Sequence, residues 1–149
     1  MKTIDLRAAR STDAGKVGGI LSEFIDHTDW MPRVHTRAED VGFAGDLIEK
    51  DWVTVAQDAN EVTGFIACDG ETVQALYVTA AARQQGVGTA LLNHAQNHRD
   101  ALTLWTFQAN VEAKAFYAAH GFVVVEETDG ARNDEGLPDL RLEWKRETV

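Results

Sequence analysis

The sequence predicts an α/β (α+β) fold built on one mixed sheet, and three observations predict it. Apolar residues switch repeatedly between the period of two that marks strands and the 3.6 period that marks helices. A run of three strands is followed by the order strand, helix, strand, helix, strand, which is how a layered mixed sheet is written in sequence. The chain has 149 residues, 44% of them hydrophobic, enough for one core of ordinary depth, so residues 1–149 read as a single domain.

Taken in order, residues 4–8 alternate apolar and polar as a half-buried strand does, and Ser11, Thr12 and Asp13 then offer a helix cap. From Val17 the positions Ile20, Leu21, Phe24 and Ile25 recur at helical spacing and end near His27. Pro32 makes residues 30–35 irregular, because proline fixes its own φ and disfavours helix before it. A second helix covers residues 38–49 despite Gly42 and Gly45. Residues 52–56, 62–67 and 72–78 read as three strands, joined by turns rich in Asp, Asn and Gly, and so as an antiparallel meander. Helix then follows at 87–99, strand at 102–107, helix at 111–120 and strand at 122–125. A polar loop at 129–139 leads to a last strand at 140–144. The count is seven strands and about four helices.

The turn Arg83-Gln84-Gln85-Gly86-Val87-Gly88-Thr89 lies between a strand and a helix. Free N–H groups of a helix's first turn, backed by the helix dipole, attract anions. Glycine lets an oxyanion approach the backbone, and Arg83 adds a fixed cation. A diphosphate suits such a turn. The dinucleotide fingerprint needs three glycines early in a βαβ unit and an acid on the next strand; here there are two glycines and no acid at 102–107, so a nicotinamide cofactor is disfavoured. No Gly-Lys-Ser/Thr follows, which excludes a P-loop.

Downstream, Asn110 reads as a helix cap and Gly121 as the left-handed residue that ends the same helix. Arg83-x-x-Gly86-x-Gly88, followed by Asn110-x-x-Ala113-x-x-Phe116-Tyr117-x-x-x-Gly121-Phe122 and preceded by a strand ending Leu76-Tyr77-Val78, resembles the GCN5-related N-acetyltransferase (GNAT) family over essentially the whole chain. The resemblance implies a mostly antiparallel sheet that splays open at the strand ending Val78, with acetyl-coenzyme A in the opening. It implies that the pantetheine arm pairs with Leu76, Tyr77 and Val78, that backbone N–H groups of Gln84, Gln85, Gly86, Val87, Gly88 and Thr89 hold the pyrophosphate beside Arg83, and that Asn110 and Tyr117 complete the site. The implied reaction moves an acetyl group to an amine by direct attack through a tetrahedral intermediate. A phenol of pKa near 10 can protonate the departing thiolate, which makes Tyr117 the candidate general acid, and the Val78 N–H is the implied oxyanion donor. No metal is needed. A domain of this fold that binds acyl-coenzyme A as a sensor and transfers nothing is the alternative; Tyr117 beside a complete phosphate turn favours the enzyme.

The acceptor is less defined. Many family members carry a glutamate base on the strand before the phosphate turn, whereas this chain has Thr72 and Gln74 there; Glu71, His35 and Asp139 remain open as bases. Acceptor binding is expected in residues 30–36 and 129–139, with Trp30, Met31, His35 and Asp139 as candidates and Asp134 and Glu135 as further acids. A small-molecule amine, an amino acid and a peptide all fit as acceptors. The 24 acidic residues against 14 basic give a net charge of -10, which disfavours nucleic acid as a partner and suits a cationic substrate. The sequence offers no membrane-length apolar run and no signal-peptide layout, so a cytoplasmic protein without a membrane partner is expected, with a homodimer compatible. The lone Cys68, inside an apolar run, reads as a core thiol.

Overall fold

The computed structural model describes residues 4–147. The strands are β1 (Asp5–Ala8), β2 (Val53–Asp58), β3 (Glu61–Asp69), β4 (Thr72–Val78), β5 (Ala101–Phe107), β6 (Val123–Thr128) and β7 (Asp139–Lys145); the helices are α1 (Ala14–Asp26), α2 (Arg37–Glu49), α3 (Val87–Asn97) and α4 (Val111–Ala119). All seven strands join one sheet in the order β1-β2-β3-β4-β5-β7-β6. The meander of β2, β3 and β4 is antiparallel, as its turn residues predict. Helix α1 departs in one detail: Ser11–Asp13 form a 3-10 turn, and no side chain caps α1. Asp13 instead accepts from the Arg10 N–H at 2.7 Å and from both Arg7 amines at 2.8 and 3.0 Å, tying β1 to the start of α1. That pairing lowers the Asp13 carboxyl to about 2.

Each face of the sheet buries its own cluster. Ile66, Val73, Leu102, Leu104 and Leu142 pack under Leu91 and Leu92 of α3 and Tyr117 of α4. Val53, Val55, Phe65 and Ala67 pack under Val17 and Ile20 of α1 and Leu47 and Ile48 of α2. Neighbouring residues of β3 thus serve opposite cores, as the strand period requires. Cys68 is buried with the first cluster, and desolvation pushes its thiol up, which fits a core role. On the second face α1 and α2 approach closely: a Cβ at Gly18 would lie 2.6 Å from the Val41 Cα, so only glycine permits the packing. Thr36 and Glu39 form a reciprocal capping box that starts α2, with bonds of 3.1 and 2.9 Å.

The feature that positions the site is a failure of pairing. Strands β4 and β5 run parallel but share only Thr72↔Thr103 and Val73↔Leu104; beyond that point they separate, and the β4 edge from Gln74 to Val78 has no strand partner on that side among the described residues. Among the described residues no helix is long and apolar enough to cross a membrane.

Candidate functional site

Two large cavities, and a third of about 70 Å³ lined by both β4 and β5, open at this split. The first, of about 660 Å³, runs from the gap to the start of α3. Leu76, Tyr77 and Val78 form its β4 side, Arg83, Gln84, Gly86, Val87, Gly88 and Thr89 its far end, and Asn110 and Tyr117 its α4 side. Gln85, the remaining residue of the turn, lines a smaller neighbouring cavity, and its side-chain amide donates to the Ala81 carbonyl at 3.1 Å.

The turn before α3 is built to present backbone N–H groups. Gly86 is the cap residue at φ +85°, a conformation that suits glycine, and Gln84 adopts φ +62° although it has a side chain. Two left-handed residues so close together fold the backbone into a concavity at a helix N-terminus, a shape that concentrates N–H donors on an anion. Arg83 lines the same end, exposed and with no ion pair to another described residue.

Asn110 accepts the Ala113 N–H at 3.0 Å, so its side-chain oxygen caps α4 while the residue lines the cavity. Tyr117 is 7% exposed and packs edge-on against Phe116 and Phe122. Its hydroxyl has no protein hydrogen-bond partner among the described residues, yet it is not a sealed polar atom: it meets the cavity. Burial pushes its pKa well above the value near 10 expected from the sequence, and Tyr77 and Cys68 nearby add to the shift.

The second cavity, of about 670 Å³, opens on the other side of the gap. Phe24, Trp105 and Phe107 give it aromatic walls, and Glu126, Asp129 and Asp139 carry carboxylates into it. Both cavities share Phe24, Tyr77 and Asn110, which makes these residues the partition between them. Tyr77 stacks at 5.0 Å on Phe24, and its phenol is raised to about 12 by burial first and by Glu135 second.

The acceptor candidates divide. Met31 and Asp139 line the second cavity, whereas Trp30 lines the first, set edge-on to Phe24 and Phe107 with ring centroids 6.4 and 5.8 Å apart. Asp139 accepts from the Thr128 hydroxyl and from Asn133 Nδ2, so its carboxylate is held in one orientation. His35 lines neither cavity: it lies between Asp134 at 3.5 Å and Glu39 at 3.9 Å, joining the loop after α1 to the loop before β7. Asp134 is its partner and not part of the pocket wall. Phe24, Trp105, Phe107 and Glu126 were missing from the sequence candidates. One signal existed for Trp105: Leu102 and Leu104 point to the core, so an aromatic one place further on faces outward.

Comparison with known proteins adds three findings. Residues 49–124 match the family model described as an acetyltransferase (GNAT) domain. The chain is 30% identical over 142 residues to the peptidyl-lysine N-acetyltransferase YjaB of Salmonella typhimurium, covering 93% of this chain and 97% of that protein. Among solved structures it resembles apo-form YjaB from Escherichia coli, at TM-score 0.81 and 24% identity over 97% of this chain and 99% of the other. It also resembles yncA from Salmonella typhimurium, a structure with its cofactor acetyl-CoA, at TM-score 0.74 and 17% identity over 99% and 96%.

Proposed function

The chain belongs to the GNAT acetyltransferase family, and from that premise we propose that it acetylates lysine side chains of peptides, with acetyl-coenzyme A in the first cavity and the lysine entering through the second. As a member it is an acetyl-CoA-dependent N-acetyltransferase. The observation that carries the acceptor reading is the pair of cavities meeting across Phe24, Tyr77 and Asn110: two substrates approaching from opposite sides can touch only there. The name of the YjaB relative supports lysine as the amine.

The cavity residues fit coenzyme A. The N–H groups around Gly86 suit a diphosphate, Arg83 adds a cation, and the unpaired β4 edge can take the amides of a pantetheine arm as it would a strand. Acetyl-coenzyme A supplies an activated acyl carbon and a thiolate leaving group. Tyr117 is the proton donor in this reading. Its raised pKa keeps the phenol protonated across the physiological range, and the desolvation that weakens it as an acid also makes a buried thiolate more basic, so the two shifts offset each other in part. On the acceptor side, Phe24, Trp105 and Phe107 suit the lysine stem, while Glu126, Asp129 and Asp139 attract the ammonium group. The net charge of -10 favours encounter with a basic peptide.

The test is release of free thiol from acetyl-coenzyme A with an N-blocked lysine peptide, a peptide whose only amine is its N-terminus, and a small polyamine. Lysine transfer is expected with the first alone. Turnover confined to either of the others overturns the acceptor assignment.

A further inference from the structure

Residues 27–36 join α1 to α2 without regular structure, yet they supply wall to both cavities through Trp30 and Met31. The side chain that holds this segment is Arg33. Its Nε donates to Asp26 Oδ1 at 2.9 Å and its Nη1 to Asp40 Oδ2 at 3.0 Å, so the guanidinium grips α1 and α2 together. The same Nη1 donates to the His35 carbonyl at 2.9 Å and Nη2 to the Ser22 carbonyl at 3.2 Å, which fastens the loop's own backbone to α1. Asp40 is 3% exposed and also accepts from the Ser22 hydroxyl, so this carboxylate is buried and Arg33 is the cation beside it. Arg37 reaches Asp26 as well, but it is exposed and bonds no backbone atom of the loop.

We propose that Arg33 is a positioning residue for the acceptor: by clamping the loop to α1 and α2 it fixes Trp30 against Phe24 and Phe107 and holds Met31 in the wall of the second cavity. The proposal rests on the reading of that cavity as the acceptor pocket. A planar guanidinium suits the task because it directs several donors at fixed angles, whereas an ammonium group is a single point charge. The other ties lie toward the ends of the segment: the Thr28 hydroxyl bonds the Phe24 carbonyl and the Met31 N–H bonds the Thr28 carbonyl near its start, while His35 pairs with Asp134 and Glu39 and Thr36 joins the capping box of α2 near its end. With Arg33 removed, residues 31–34 lose their side-chain tie to the helices, and the acceptor meets a wall that must be ordered on binding.

The test uses Arg33→Gln, Arg33→Lys and the double variant Arg33→Gln with Asp40→Asn, which removes the buried charge and guards against misfolding; Arg37→Gln serves as the control. Hydrogen exchange of residues 27–36 is measured on the free protein, and steady-state kinetics use acetyl-coenzyme A with an N-blocked lysine peptide. Arg33→Gln and the double variant are expected to speed exchange in 27–36 and raise the peptide KM roughly tenfold, with a smaller rise in the acetyl-coenzyme A KM, whose cavity Trp30 also lines, and kcat changed by less than about twofold. Arg33→Lys recovers part of the loss, and Arg37→Gln has neither effect. Unchanged exchange in 27–36, or a lowered Tm with both KM values intact, overturns the proposal. If the unaltered enzyme gives no transfer to the peptide, the lysine reading fails by itself, and the exchange data still decide whether Arg33 holds the loop.

Discussion

The coenzyme side and the acceptor side of the split sheet are built by different means. The coenzyme side is made mostly of regular structure, the free edge of β4, the first turn of α3 and the inner face of α4, held by the core under Leu91, Leu92, Leu102 and Leu104, with residues 27–30 adding one wall. The acceptor side sets Phe24 of α1, Trp105 and Phe107 of β5 and Glu126 of β6 against two connecting segments, 27–36 and 129–138, which are held by side chains such as Arg33, Asn133 and Asp139. Backbone N–H groups on a helix suit a ligand that never changes; side chains on loops can be exchanged without disturbing the fold, and they suit a substrate that differs between relatives.

Variants break or sharpen that contrast. The largest effect is expected at the proton donor of the coenzyme side: Tyr117→Phe removes one oxygen from a buried ring and should lower kcat by roughly a hundredfold or more while leaving the acetyl-coenzyme A KM nearly unchanged. An equal loss in KM would make Tyr117 a binding residue. Next, Gly86→Ala forces a Cβ into φ +85°, so it should cost about 1 kcal/mol of stability and raise the acetyl-coenzyme A KM several-fold, with the peptide KM unmoved. Asp13→Asn tests a purely structural anchor and should lower stability at pH 7 by about 1–3 kcal/mol, read by urea unfolding, with both KM values intact. Because the folded carboxyl is depressed to about 2, its contribution is present above the unfolded value near 4 and is lost as pH falls from there through 2; the variant and its parent should converge in stability over that window. The last effect concerns alkali. Tyr77 is raised to about 12 and Tyr117 is also raised, so the folded state holds protons that the unfolded chain releases near pH 10, and stability should decline above that pH, while these two groups add no pH dependence well below it.

The same contrast explains what could be read from the sequence. Periodicity, caps and turn residues located every strand and helix, since these are local signals: Asn110 caps α4 and Gly121 takes a positive φ as read. The turn Arg83 to Thr89 was legible because its geometry is set within a few residues. The acceptor side depends on contacts between distant segments. Arg33 meets Asp40 and Ser22 only once α1 and α2 have packed together, and Trp105 shares a cavity with the β6–β7 loop only once the sheet has formed, so neither stood out. His35 was a fair candidate by residue type, but its partner Asp134 lies 99 positions away, and that pairing turns it from the pocket. Thr36 and Glu39 were the exception, a local capping signature that was there to be read.

The central claim is that the two cavities receive two different substrates. It is tested most directly by initial rates with acetyl-coenzyme A and lysine peptide both varied, comparing Arg83→Ala with Trp105→Ala. The account predicts that Arg83→Ala raises only the acetyl-coenzyme A KM and Trp105→Ala only the peptide KM. If both substitutions shift the same constant, or each shifts the other's, the assignment of the cavities is wrong.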